Sequence, residues 1–180
     1  MIAQSGNVRS IAEKAVSNYE DGNYSDAIKN LEQAIDIIKK KQENVYNKLL
    51  PQTLPGWTRG ESSSKPMDPR GITEGQLIQQ TYIKGNGQIT TAIIINSPMV
   101  SDVKKMLNNA QAQGNRDGFI YETIDNKKAL IRYYEDRNKG EITILANNTT
   151  IAAVYGENVS LREMKNYARL IKFSEINKIK

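Results

Sequence analysis

The apolar residues of this 180-residue chain change their spacing partway along it. Before Pro51 they recur every three to four positions. After Gln76 they recur mainly every second position or in short β-branched runs. The first spacing commits a segment to helix and the second to strand. A chain that carries both must build two unlike parts, and the stretch between them is rich in Pro, Gly and Ser. The division predicted is a helical hairpin over 1–50, a linker over 51–75 and an α+β domain over 76–180.

Ser10-Ile11-Ala12-Glu13 has the form of a capping box, so a first helix is expected from Ile11 to Asp21. Ala12, Ala15, Val16 and Tyr19 mark its buried face. Gly22-Asn23 stops it. The second helix begins at Tyr24 or Ser25 and ends before Pro51, because the residue ahead of proline disfavours helix. Ile28, Leu31, Ile35, Ile38, Val45 and Leu49 form its apolar stripe, with Ala27 and Ala34 alongside. The short turn makes the two helices antiparallel neighbours.

The residues around that turn resemble the second half of a tetratricopeptide repeat: Gly22-Asn23-Tyr24-Ser25-Asp26-Ala27, then Leu31, then Ala34-Ile35, with Ala15 at the small position of the first helix. The chain departs from the repeat at Asn18, where an aromatic is common, and at Lys39, where a helix-ending proline is usual. There is no second copy. A single repeat cannot form the concave peptide groove of a stacked array, so the resemblance implies a hairpin without that groove.

The linker holds Pro51, Pro55, Pro66 and Pro69 and the run Ser62-Ser63-Ser64. Such composition disfavours regular structure, and 60–71 is expected to be its mobile part. Leu54-Pro55-Gly56-Trp57 contains the single tryptophan, read as an anchor on a short strand that opens the next domain, with a ligand-stacking role as the alternative.

Beyond it, strands are predicted at 76–84 and 88–95 around the turn Gly85-Asn86-Gly87. A helix follows, capped by Ser97 with Pro98 in its first turn, buried through Met99, Val100, Val103, Met106, Leu107 and Ala110, and stopped at Gly114. Four strands form a meander over 119–124, 128–134, 141–146 and 149–155, the first two joined by a turn at Asp125-Asn126. Ser160-Leu161-Arg162-Glu163 caps a last helix. Hairpin turns make the sheet antiparallel. The fold class expected is α+β: an N-terminal antiparallel helical hairpin plus a twisted antiparallel sheet of about six strands, with two helices on one face. This element order, entered through Pro55-Gly56-Trp57, resembles the Mog1/PsbP-like fold and bacterial exported proteins of unknown function. That resemblance implies a binding or assembly factor without a shared chemistry.

The chain has neither Cys nor His. This removes thiolate and imidazole metal sites and His-assisted nucleophiles. Glu122, Asp125, Glu135, Asp136 and Glu141 fall mostly at strand ends and match no calcium loop, so neither catalysis nor metal binding is expected of them, and no cofactor is expected. The net charge of +5 is thinly spread, and Lys39-Lys40-Lys41 point in three directions on a helix, which argues against specific nucleic-acid binding. No apolar run approaches the length of a membrane span. Ala3-Gln4 before a polar stretch reads like the start of a mature exported protein, so a periplasmic or secreted location is expected, with a cytoplasmic one as the alternative.

The function expected is therefore a noncatalytic binding or assembly module of the bacterial cell envelope, whose partner is another protein. The alternatives are a structural subunit of a larger assembly, including a homo-oligomer, and a carboxylate-dependent hydrolase. Trp57, Arg132, Tyr134, Lys39 and Lys40 are the candidate interaction residues.

Overall fold

The computed structural model describes residues 8–67, 75–113 and 118–179. The side chain of Ala110, the helix stop at Gly114 and residues 68–71 of the stretch read as mobile lie outside what it describes. The chain forms two compact units, Met1–Tyr46 and Asn47–Lys180.

The first unit is built from α1 (Val8–Glu20) and all but the last residue of α2 (Tyr24–Asn47). Ser10 lies inside α1 and is not its cap. The Glu13 carboxylate accepts from Arg9 Nε at 2.8 Å, the i,i+4 partner of a helix already under way. At the other end the sequence signal works as expected. Gly22 takes φ 78°, Asn23 N–H reaches Asn18 O at 2.7 Å, and Gly22 N–H reaches Tyr19 O at 3.1 Å. This is a Schellman ending, which needs the left-handed conformation that glycine adopts without steric cost. The buried positions include Ala15, Ala27 and Ala34. Val16 and Tyr19, expected on the buried face, are exposed. Two helices meet along one narrow seam; the alanines fill it and the larger side chains flank it.

The second unit is a seven-stranded antiparallel sheet in the order β1-β2-β3-β7-β6-β5-β4. The strands are β1 (Thr58–Pro66), β2 (Gln76–Lys84), β3 (Gly87–Ile95), β4 (Phe119–Ile124), β5 (Lys127–Tyr134), β6 (Lys139–Leu145) and β7 (Ile151–Glu157). The seventh strand is β1, in the segment read as linker. It pairs with β2 along the edge, and its register shifts between Arg59 and Ser62. Gln80 of β2, fully buried, holds this irregular strand: its side-chain amide donates to Gly60 O at 2.9 Å and Glu61 O at 3.1 Å, while Arg59 Nε donates to its oxygen. A buried amide satisfying bulge carbonyls supplies the order that serines and prolines do not.

The helices α3 (Val100–Gln113) and α4 (Leu161–Arg169) cover opposite faces of the sheet, not one. Val100, Val103 and Leu107 of α3 pack with Leu130 and Ile151. Met164 of α4 lies over Gly156, and Lys165 pairs with Glu122 at 2.5 Å, both on the other face. The cause is in β3, which is buried on both sides from Thr91 to Ile95 and needs cover from two directions. Ser160 caps α4 in a complete capping box with Glu163, as its sequence predicts.

Candidate functional site

The exposed apolar surface is concentrated on the hairpin. Val16 and Tyr19 of α1 and Tyr24, Ile28, Leu31, Ile35, Ile38 and Val45 of α2 each keep 47% to 65% of their surface exposed. Scattered apolar residues on a surface are ordinary; a stripe on one pair of helices, interrupted only at Gln42, is not. The spacing of α2 explains the stripe. Residues three and four apart lie on one face, so Ile28 to Val45 runs along the helix for about 26 Å. Between α1 and the first turns of α2 the surface dips into a groove of about 340 Å³. Its floor is Ala15 and Ala27, and its walls include Tyr19, Tyr24, Ile28 and Leu31. Tyr19 and Tyr24 meet across the turn with ring centroids 5.6 Å apart. The small residues let the backbones approach, and that approach leaves the larger side chains standing on either side.

Of the five candidate interaction residues, Lys39 and Lys40 belong to the first unit, and Trp57, Arg132 and Tyr134 of the second do not share one surface. Trp57 is buried at 8% exposure. Leu54-Pro55-Gly56-Trp57 is a tight turn with Gly56 at φ 80° and Trp57 N–H on Leu54 O at 3.1 Å. It carries the indole edge-on to Tyr167, 5.3 Å between centroids. Tyr167 in turn lies 4.3 Å from Tyr82, whose hydroxyl donates to Pro51 O at 2.6 Å. Burial pushes the Tyr82 hydroxyl up to about 12. This cluster clamps the entry segment onto α4 and β2, so Trp57 serves as an anchor and offers little to a partner.

Arg132 and Tyr134 stand on the α3 side of the sheet, with the guanidinium over the Phe119 ring at 5.2 Å and the Tyr134 ring at 5.4 Å. Tyr133, between them in sequence, points the opposite way and donates to Val159 O at 2.8 Å. Lys39 and Lys40 are exposed on α2. On the hairpin the residues expected to be buried and found exposed are Val16 and Tyr19 of α1; the stripe of α2 is expected only to be apolar. No sequence signal separates a buried stripe from a bare one of the same period.

Glu141 accepts from Thr143 Oγ1 at 2.9 Å, and Glu122 is paired with Lys165. Among the described residues no three acidic side chains converge on one point, and no helix is long and apolar enough to cross a membrane. Compared with known proteins, the chain matches no family model, no curated protein and no solved structure, so the two resemblances drawn from its motifs rest on those motifs alone.

Proposed function

We propose that the chain is a noncatalytic protein-binding module whose hairpin receives an amphipathic helix of another protein. The observation that carries this reading is the bare stripe from Ile28 to Val45 beside the groove at Ala15 and Ala27. Leaving such a stripe in water forgoes about 1.5–3 kcal/mol for each large aliphatic that a partner would fully bury. Its length and three-to-four spacing fit the apolar face of a helix laid alongside, the helix-in-groove mode of recognition. A small molecule would fill the groove and leave Ile35, Ile38 and Val45 uncovered. In the same proposal the module works in the bacterial cell envelope, the setting that the resemblance to exported proteins implies.

A photoreactive amino acid placed at Ile28, Ile35 or, as a control, Asp36 tests the reading in living cells. The expected result is one discrete heterologous adduct from positions 28 and 35 and none from 36. An adduct with a second copy would instead make the chain a self-assembling subunit. Equal labelling from all three positions would remove the interface.

A further inference from the structure

The sheet face under α3 holds a cavity of about 270 Å³. Among the described residues, Val103 and Leu107 of α3 pack with Leu130 and Ile151, and the next cross-strand row lines the cavity together with Met99, Val103 and Met106. Register sets the content of that row. Phe119 is opposite Arg132, Arg132 opposite Glu141, and Glu141 opposite Tyr155. Directly opposed residues of an antiparallel sheet project from the same face. The interior of the cavity is apolar, with Ile94, Leu130 and Ala153 from the sheet and Val103 from α3; Met99 and Met106, expected to be buried, are exposed at its edge, and its mouth carries a guanidinium, a carboxylate and a phenol.

Arg132 and Glu141 face each other in register and yet form no ion pair with one another. The guanidinium lies against Phe119 and Tyr134, and the Glu141 carboxylate is engaged by the Thr143 hydroxyl. Burial, then the Glu141 charge and the hydrogen bond the carboxylate accepts from the phenol, raise the Tyr155 hydroxyl, so Glu141 accepts from both Thr143 and Tyr155 and still has lone pairs to spare. One positive and one negative group thus stand at the rim of an apolar hole, each with unused hydrogen-bonding capacity.

We propose that this cavity binds a small zwitterion with an apolar side chain, the chemical class of the hydrophobic α-amino acids. The side chain fills the space between α3 and the sheet, the carboxylate meets the fork of Arg132, and the ammonium meets Glu141. A purely anionic apolar molecule would face the like charge of Glu141, and a purely cationic one that of Arg132, so only a molecule bearing both charges finds a complement at each. The volume lies at the small end of ligand sites, which favours a single residue over a peptide.

Titration of the full chain with L-phenylalanine, phenylpropionate and phenethylamine, followed by heteronuclear NMR, decides the matter. Phenylalanine is expected to bind at least about tenfold more tightly than either singly charged analogue, a preference of roughly 1.4 kcal/mol. Its largest amide shifts should fall at Leu130, Thr143 and Ala153. Arg132→Met should abolish the preference over phenethylamine, and Glu141→Gln the preference over phenylpropionate. If either variant fails to fold, the three-ligand comparison on the unaltered chain stands by itself. Equal binding of the three, no binding of phenylalanine at millimolar concentration, or shifts confined to α1 and α2 would each overturn the assignment.

Discussion

In the sheet unit Ile78, Ile89, Ile93, Ile131, Ile142 and Ile144 have no exposed surface, whereas in the hairpin Ile28, Ile35 and Ile38 keep about half of theirs. The residue type is the same, and both sets recur at the period proper to their element. The difference lies in how many neighbours the fold supplies. A sheet with a helix on each face covers its side chains from both directions. Two helices offer one another a single seam, and here alanines fill it. Periodicity therefore identifies an element and its apolar side, but the number of layers decides whether that side is covered from within.

The sharpest test of the contrast is one substitution made in both places. Ile142→Ala should cost about 2–5 kcal/mol, the range for emptying a tightly packed aliphatic site. Ile35→Ala should stay within about 0.5 kcal/mol, as surface changes do. Urea denaturation followed by the Trp57 fluorescence reads the sheet unit, and far-ultraviolet dichroism at 222 nm weighs the helices. Equal losses at the two sites would mean that the hairpin face is packed, and the comparison would collapse.

Glycines sharpen it one step further down in magnitude. At Gly140 a Cβ would stand 2.5 Å from the Arg132 carbonyl oxygen and 2.8 Å from the Tyr133 ring. Gly140→Ala should cost about 1–3 kcal/mol by overpacking. At Gly22 a Cβ would meet nothing within 4 Å, and only φ +78° resists a side chain. Gly22→Ala should cost roughly 1–2 kcal/mol, the strain of a left-handed residue. Asn, which tolerates that conformation, should restore most of the loss at position 22 and none at position 140. Thermal midpoints of the four variants check this. Rescue by Asn at position 140 would show that space is not what selects glycine in β6.

What the sequence discloses follows the same division between local and long-range causes. The strand 76–84, the turns at Gly22 and Asp125-Asn126 and the cap at Ser160 depend on neighbours a few residues away, and they lie where the pattern predicts. β1 is legible only as a short strand at Trp57; its run through Ser62-Ser63-Ser64 has no period, and its order comes from Gln80, about twenty residues distant. The placement of α3 and α4 on opposite faces was written in β3, whose Ile93, Ile94 and Ile95 are buried on alternating sides. The hairpin stripe is legible as apolar, and its period alone does not say what covers it. The row joining Arg132, Glu141 and Tyr155 belongs to no contiguous motif; it exists only through the registers of three strands.

Two copies of one motif allow the smallest effect to be measured. Ser10-x-x-Glu13 and Ser160-x-x-Glu163 share the capping-box form, yet the first lies within α1 and the second begins α4. Ser160→Ala should cost about 1 kcal/mol, and Ser10→Ala should be neutral or gain a few tenths, since alanine is the better interior helix former. The cap also carries a pH signature. The hydrogen bond from Lys84 is the main influence holding the Glu163 carboxyl below its ordinary range, against the opposing effect of burial, and bonds from Ser160 add to it. A depressed folded value means that the ion's stabilisation is present above the unfolded value, about 4.3, and is lost as the pH falls through the lower folded one. Stability of the sheet unit should therefore decline between about pH 5 and pH 3 by more in the unaltered chain than in Glu163→Gln, by a fraction of a kcal/mol because the pair is partly solvated. Identical acid limbs for the two proteins would reduce the Lys84 pair to a surface contact and leave the Ser160 hydroxyl as the whole of the cap.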